Sequence, residues 1–163
     1  MTTAAVLTIS DRVSSGTYQD ESGPTAISIL RDGLRIEQIA LRVVPDDRPT
    51  IETIMRKWAD EEHIDLILTN GGTGISPRDT TPDATLAVLD YQVPGLAEVM
   101  RSASLQKTPM AALSRAVAGV RGRTLIINLP GSPKAVRECL EAILPILPHA
   151  LEQLSDGSGH EKC

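Results

Sequence analysis

The stretch LILTNGGTGISPRDTTPDAT, residues 66–85, decides the fold prediction and also indicates where the chain binds its ligands. A short apolar strand leads directly into the glycine-rich turn of residues 71–74, and a loop with Arg78 and Asp79 then reaches a helix that begins near Pro82. This order of strand, glycine turn and helix start is typical of a site where backbone N–H groups bind an anion. The carboxylate of Asp79 in the same loop indicates that a metal ion accompanies the anion.

The composition of the chain predicts a single globular domain. It has 163 residues, a hydrophobic fraction of 41%, an aromatic fraction of 2% and a net charge of −5. Few aromatic residues argue against single-stranded nucleic-acid binding, and the negative charge provides no basic field for nucleic acid or acidic lipid. We therefore expect no nucleic-acid or membrane partner, and we expect polyanionic ligands to be met by local positive groups or a cation.

The cysteines and the N-terminal sequence indicate the cellular setting. Cys139 and Cys163 show no spacing typical of a zinc site or a disulfide framework. The chain starts without a basic segment followed by a long apolar one, and it contains no apolar run long enough to cross a bilayer. These features predict a cytoplasmic protein.

Strand and helix patterns alternate along the chain. Strands are predicted at residues 4–10, 36–44 and 65–69, and a hairpin at residues 117–120 and 124–129. Helices are predicted at residues 24–32, 49–62, 82–90 and 94–105, and another begins after Ser132 and is bent or broken by Pro145 and Pro148. Residues 11–22 are predicted to form a loop.

This alternation predicts the fold class. Continuous apolar strands separated by helices are typical of a parallel sheet covered on both faces. We therefore predict an α/β protein with three layers, α/β/α, in which a mostly parallel sheet with one antiparallel element has a Rossmann-like topology. Residues 1–154 are predicted to form one domain, and residues 155–163 a polar C-terminal tail.

Candidate site residues follow several predicted strands. Ser10 and Asp11 lie where the first strand ends, Asp46 follows the second, the segment 71–79 follows the third, and the segment 130–132 follows the last. Because ligands of open α/β sheets bind beyond the carboxyl ends of the strands, these segments are expected to converge at one edge. Any one of them alone is also compatible with an ordinary turn or helix cap.

Asp46 and Asp79 are the carboxylates predicted to be functional. Mg²⁺ takes few protein ligands and completes its shell with phosphate oxygens and water, so two carboxylates beside a phosphate site would suit it. The same residues would equally serve as solvated loop or capping groups. The pattern as a whole fits phosphoryl or nucleotidyl transfer, and it does not identify a substrate.

Seven short segments carry a resemblance to a known family. In chain order they are TISDR (residues 8–12), PDD (45–47), TNGGTG (69–74), PRDTTPDAT (77–85), PGLAE (94–98), LSR (113–115) and NLPGSP (128–133). Together they resemble the MogA-type molybdopterin adenylyltransferases of the MoaB/MogA superfamily, which include the G domains of gephyrin and its plant counterpart. The resemblance extends over residues 6–154.

The resemblance implies a reaction and its partners. Members of this family convert ATP and molybdopterin, with Mg²⁺, into adenylylated molybdopterin and pyrophosphate, in the step before molybdate insertion. A molybdate-inserting protein of the MoeA type is therefore an expected partner. The family is usually trimeric, which makes a homotrimer the expected assembly.

The resemblance also implies roles for individual residues. By matching position, Asp46 and Asp79 are implicated in catalysis through Mg²⁺. The residues implied to bind the pterin and phosphate are Ser10, Asp11, Gly71, Gly72, Thr73, Gly74, Thr81, Pro130, Gly131 and Ser132. Glu98 matches an acidic position of the PGLAE segment and is a further substrate-binding candidate.

Other interpretations have the same fold. One is a MoaB-like paralogue, and another is a pterin-binding carrier or scaffold module without catalysis. The complete PRDTTPDAT segment and the long loop of residues 11–23 favour the MogA type, and the absence of a second domain in this sequence disfavours a scaffold. A generic nucleotide-binding α/β domain would leave the ordered set of motifs unexplained.

Overall fold

The computed structural model describes residues 1–156, and its sheet has six strands. These are β1 (Thr3–Ile9), β2 (Gln38–Val44), β3 (Leu66–Asn70), β4 (Tyr91–Gln92), β5 (Ala118–Arg121) and β6 (Thr124–Leu129). The helices are α1 (Asp11–Ser14), α2 (Ser22–Leu34), α3 (Arg48–Asp60), α4 (Thr81–Val88), α5 (Pro94–Leu105), α6 (Pro133–Ile143) and α7 (Leu147–Asp156), with a 3₁₀ helix at Pro109–Leu113.

The sheet has the predicted mixed topology. Its strand order is β2-β1-β3-β6-β5-β4, and the first four strands are parallel. Strand β5 is antiparallel to β6 and to β4, and the tight turn between β5 and β6 is the predicted hairpin. From β1 the chain passes to β2 on one side and then returns to β3 on the other side of β1. In doubly wound sheets, such a reversal opens a crevice at the carboxyl ends of the two strands, here β1 and β3.

Two apolar clusters on opposite faces of the sheet give the three predicted layers. The first includes Val6, Leu68 and Ile127 and packs against helices α2, α5, α6 and α7. The second includes Leu7 and Ile67 and packs against α3 and α4. Alternate residues of β1 and β3 therefore face different layers, and this is why their sequences are apolar throughout.

The structure corrects several boundaries. Residues 11–22 were predicted to be a loop, but Ser10 caps the short helix α1, and α2 begins at Ser22. Strand β4 and the 3₁₀ helix were not predicted, because two residues and five residues are too short for a recognisable hydrophobic period. The last helical pattern divides into α6 and α7 on either side of Pro145, as predicted.

At the C-terminal end, helix α7 continues two residues beyond the predicted end of the domain at Leu154. Ser155 and Asp156 belong to the last turn of α7, whereas the polar tail was predicted to start at Ser155. The rest of that prediction, residues 157–163, lies outside the described residues. Within residues 1–156, no helix combines the length and the apolar character needed to cross a membrane.

Candidate functional site

The glycine-rich turn after β3 has a backbone that only glycine tolerates. Gly71 has φ +100° and Gly72 has φ +69°. A Cβ on Gly71 would collide with the carbonyl oxygen of Ile9, and one on Gly72 would collide with Oγ1 of Thr81. The N–H groups of residues 72–74 have no hydrogen-bond acceptor among the described residues. The turn therefore presents consecutive free N–H groups, as an anion site requires.

Asp11 and Asp46 hold each other in place by reciprocal hydrogen bonds. The N–H of Asp11 donates to Oδ2 of Asp46 at 3.0 Å, and the N–H of Asp46 donates to Oδ1 of Asp11 at 3.0 Å. Asp11 follows β1 and Asp46 follows β2, so the pair joins the ends of adjacent strands. Arg78 donates to the other oxygen of Asp11, which places one cation beside the carboxylates.

Asp79 is oriented by its own loop. Its Oδ2 accepts the N–H of Ser76 at 3.1 Å, and its N–H donates to the carbonyl of Ser76 at 2.9 Å. Oδ1 of Asp79 and Oδ1 of Asp46 have no hydrogen-bond partner within residues 1–156. Each of the two carboxylates is thus fixed by one oxygen and free to bind a ligand with the other.

The electrostatic environment raises the pKa of Asp46 above its ordinary value of 3.8. The largest cause is burial, and the negative charges of Asp11 and Asp79 add to it. The N–H of Asp11 and the charge of Arg78 act in the opposite direction. A cation bound between these carboxylates would relieve the repulsion that raises the pKa.

A polar cavity of about 340 Å³ lies among these groups. Asp46, Asp79 and the glycines at positions 71 and 72 contribute to its lining. Its lining also includes polar residues near the start of α2, where Oγ1 of Thr8 donates to Asp20 at 2.9 Å. Most of the predicted segments therefore meet in one cavity, as their places after the strands predicted.

The turn after β6 forms another part of the cavity wall. Gly131 packs close to Gly71: a Cβ added to Gly131 would be in van der Waals contact with the Cα of Gly71, at 3.6 Å. Ser22 donates its hydroxyl to the carbonyl of Gly131, which connects this turn to the start of α2. Ser132 caps α6 by accepting the N–H of Ala135 at 3.2 Å.

Arg115 fixes the loop that carries the acidic residues. Its guanidinium donates to the carbonyl of Gly74 at 2.9 Å and to the carbonyl of Asp79 at 2.6 Å. It also pairs with Asp83 at 3.2 Å, which lowers the pKa of that carboxyl. Arg115 belongs to the LSR segment of the family resemblance, and its contacts with two backbone carbonyls show that it positions the loop.

A second, apolar pocket of about 300 Å³ adjoins the end of the glycine turn at Gly74. It is bounded by α5, the 3₁₀ helix and the start of α6, and Gly74 and Pro130 belong to its lining. Met100, Met110 and Cys139 are among its apolar lining residues, and Arg101 and Glu138 are its charged ones. Burial raises the pKa of the Cys139 thiol.

Five predicted residues are not among the lining residues of either cavity, and two of them, Asp11 and Ser132, have the contacts described above. Thr81 is fully buried at the start of α4, with its hydroxyl next to Gly72. Thr73 is buried, and its carbonyl accepts the N–H of Arg115 at 2.8 Å. Glu98 is exposed on α5 and lines neither cavity, so its proposed role in binding has no support from this geometry and stays a prediction.

Sequence reasoning missed two asparagines. Asn128 is fully buried, and its amide bonds to Oγ1 of Thr69 and Thr85 and to the N–H of Val117. Asn70 is 1% exposed and lines the polar cavity, but neither of its amide atoms has a partner among the described residues. A polar residue at the end of an otherwise apolar strand pattern is the signal that could have identified both.

Comparison with protein families gives one match over most of the chain. Residues 5–149 match the family described as "Probable molybdopterin binding domain". A molybdopterin adenylyltransferase of Helicobacter pylori strain J99 is 45% identical over 148 residues, which are 90% of this chain and 84% of that protein. The molybdopterin adenylyltransferase of Escherichia coli K12 is 45% identical over 139 residues, 85% of this chain and 71% of that protein.

Longer relatives and solved structures are similar as well. The chain is 43% identical to the molybdenum cofactor synthesis protein cinnamon of Drosophila melanogaster, but it spans only 26% of that protein. A crystal structure of the molybdopterin biosynthesis enzyme MoaB from Thermus thermophilus has a TM-score of 0.89 and 57% identity, covering 95% of this chain and 97% of that one. The Mog protein of Mycobacterium ulcerans has a TM-score of 0.86 and 45% identity, covering 94% and 99%.

Proposed function

The chain belongs to the molybdopterin-binding family that it matches over residues 5–149, and we propose that it is a molybdopterin adenylyltransferase. It transfers AMP from ATP to molybdopterin and releases pyrophosphate, in molybdenum cofactor biosynthesis before molybdate insertion. Curated adenylyltransferases that are about 45% identical over most of the chain support this activity. The structural observation that carries the proposal is the meeting of Asp46, Asp79 and the glycine turn, at Gly71 and Gly72, around one cavity.

The reaction joins two phosphates, and this explains the two cavities. A phosphate oxygen of molybdopterin attacks the α-phosphorus of ATP, a P–O bond forms, and the bond to the β-phosphate breaks so that pyrophosphate leaves with the electron pair. The ring systems of the two substrates must then lie on opposite sides of the reacting phosphates. The polar cavity adjoins the glycine turn at Gly71 and Gly72 and the apolar pocket adjoins it at Gly74, which is compatible with this requirement.

The positions of the carboxylates support a side for each substrate. ATP carries a triphosphate that needs a cation, and Asp46 and Asp79 line the polar cavity, so we place ATP there. Molybdopterin carries one phosphate, which the glycine turn would bind through its N–H groups while the pterin extends toward the apolar pocket. We propose that Arg78, which donates to Asp11 in the absence of substrate, donates to a phosphate oxygen when substrate is bound.

Mg²⁺ is the cation that fits these residues. Asp46 and Asp79 each offer one unpaired carboxylate oxygen, and no group of three or more His, Cys, Asp or Glu side chains suited to a metal occurs among the described residues. Mg²⁺ is commonly held by one or two carboxylates together with substrate phosphates. When bound, it would neutralise charge on the triphosphate, while the backbone of residues 72–74 orients the phosphates.

The remaining expectations about assembly are part of the same proposal. We propose a cytoplasmic homotrimer that passes adenylylated molybdopterin to a molybdate-inserting protein of the MoeA type. Large apolar side chains are exposed on α5 and the 3₁₀ helix, and contact between subunits would cover such residues; they are Val99, Leu105, Met110 and Leu113.

The second candidate is a MoaB-like paralogue or a carrier or scaffold module that binds the pterin without catalysis. The 57% identity to the molybdopterin biosynthesis enzyme MoaB of Thermus thermophilus favours the paralogue. The unpaired carboxylate oxygens of Asp46 and Asp79 favour transfer, because binding of a pterin monophosphate alone does not require a metal site.

A labelling experiment separates these functions. Purified protein is mixed with molybdopterin, Mg²⁺ and ATP labelled at the α-phosphate, and we expect label to appear on the pterin and unlabelled pyrophosphate to be released. Asp79→Asn should lose transfer while it still binds molybdopterin. Pterin binding by the wild type without any transfer of label would establish the second candidate instead.

A further inference from the structure

Asn70 has an amide that nothing in the described residues satisfies. It ends β3, directly before the glycine turn, and pairs in register with Thr8 of β1. Its Nδ2 and Oδ1 are both buried and both lack a hydrogen-bond partner within residues 1–156. An unpaired buried amide is unfavourable, and such groups are uncommon in folded proteins. Its neighbour Thr8 is by contrast satisfied through Asp20.

The chemistry of the amide limits what can pair with it. Because both atoms are unpaired, the conclusion does not depend on which one is assigned as nitrogen. A phosphate offers only acceptors and would leave the amide oxygen unpaired. The edge of a heterocycle with an adjacent donor and acceptor satisfies both atoms, as asparagine does when it binds the N6 and N7 edge of adenine.

The position of Asn70 selects adenine as the ring. Asn70 lines the same cavity as Asp46 and Asp79, and its side chain faces the sheet layer that also carries Thr8 and the start of α2. With the triphosphate at the carboxylates, the nucleoside of ATP would extend into the polar part of the cavity. A volume of about 340 Å³ is within the range of pockets that bind small molecules.

We propose that Asn70 recognises the edge of the adenine ring and thereby determines the nucleotide specificity of the transfer. This inference rests on the proposed function, because it places ATP in the polar cavity. Asn70 makes a direct contact with the base and takes no part in the phosphate chemistry.

Removal of the same contact from the ligand and from the protein tests the proposal. Binding of ATP and of purine riboside triphosphate, which lacks the 6-amino group, is measured with Mg²⁺ by calorimetry for wild type and Asn70→Leu. We expect the wild type to prefer ATP about tenfold or more, and the variant to bind both nucleotides with nearly equal, weaker affinity. Without ligand, Asn70→Leu should unfold at the same or a higher temperature, because it removes an unpaired buried amide.

Asn128→Leu is the matched control. Its amide has three protein partners, so this variant should lose thermal stability and still distinguish ATP from the analogue. Equal binding of both nucleotides by the wild type, or an unchanged preference in Asn70→Leu, would overturn the role of Asn70 even if label is transferred normally. A wild type that neither binds ATP nor transfers label would overturn the proposed function, and the inference with it.

Discussion

Asp46 shows how one residue can weaken the fold and serve the site. Its pKa is raised above 3.8 because the carboxyl is partly buried and faces the charges of Asp11 and Asp79. A raised folded pKa means that the protonated form is favoured in the folded protein. Stability is therefore highest below the unfolded pKa and decreases as the pH rises through the folded pKa. At neutral pH the ionised Asp46 destabilises the fold and is available to a cation.

Asp46→Asn should consequently separate stability from activity. The variant can still accept the N–H of Asp11, but it removes the ionised carboxyl. Without ligands, we expect its melting temperature at pH 7 to exceed that of the wild type, and the difference to disappear as the pH falls below 3.8. Transfer should fall by about a hundredfold or more. A variant that is less stable than the wild type at pH 7 would contradict this electrostatic account.

The glycine turn gives a steric prediction at the same scale. Gly71→Ala would place a Cβ against the carbonyl of Ile9 at φ +100°, so it should destabilise the fold by about 1 to 3 kcal/mol. Gly95→Ala is the control, because a Cβ there meets nothing within 4 Å at the start of α5. Chemical denaturation measures both variants. Equal stability of the two would mean that the turn adapts without strain.

At the scale of elements, Arg115 acts on a loop through its backbone. Arg115→Lys retains one charge but cannot reach the carbonyls of Gly74 and Asp79 and the carboxylate of Asp83 together. We expect faster amide exchange in residues 74–80 and a transfer rate about tenfold lower, because the loop carries Asp79. Arg137→Lys, which alters a surface pair with Glu141 on α6, should change neither.

Elements also show what could be predicted from the sequence. The layers could be predicted from the apolar runs of β1, β3 and β6, and the break between α6 and α7 from Pro145. The edge of the sheet where the motifs meet could be predicted from their places after the strands. Helix α1 could not be predicted, because it has four residues and depends on the cap of Ser10. The environments of Asn70 and Arg115 depend on contacts between distant segments, which periodicity along the chain does not contain.

At the scale of the whole molecule, the charge of the protein opposes the charge of its proposed substrate. The net charge is −5, and the polar cavity has Asp46 and Asp79 in its lining with Arg78 paired to Asp11. Long-range electrostatics therefore do not attract a free triphosphate, and a divalent cation must screen the carboxylates from the phosphates.

Removal of divalent cations should accordingly weaken ATP binding far more than molybdopterin binding. Calorimetry in EDTA and in Mg²⁺ should show a loss of ATP affinity of about tenfold or more without the cation, because two carboxylates then face the triphosphate. Asp46→Asn with Asp79→Asn should reduce this difference, since the double variant no longer repels the phosphates. If ATP binds equally well in EDTA, then the cation site is not formed by Asp46 and Asp79, and the backbone N–H groups of residues 72–74 bind the triphosphate without it.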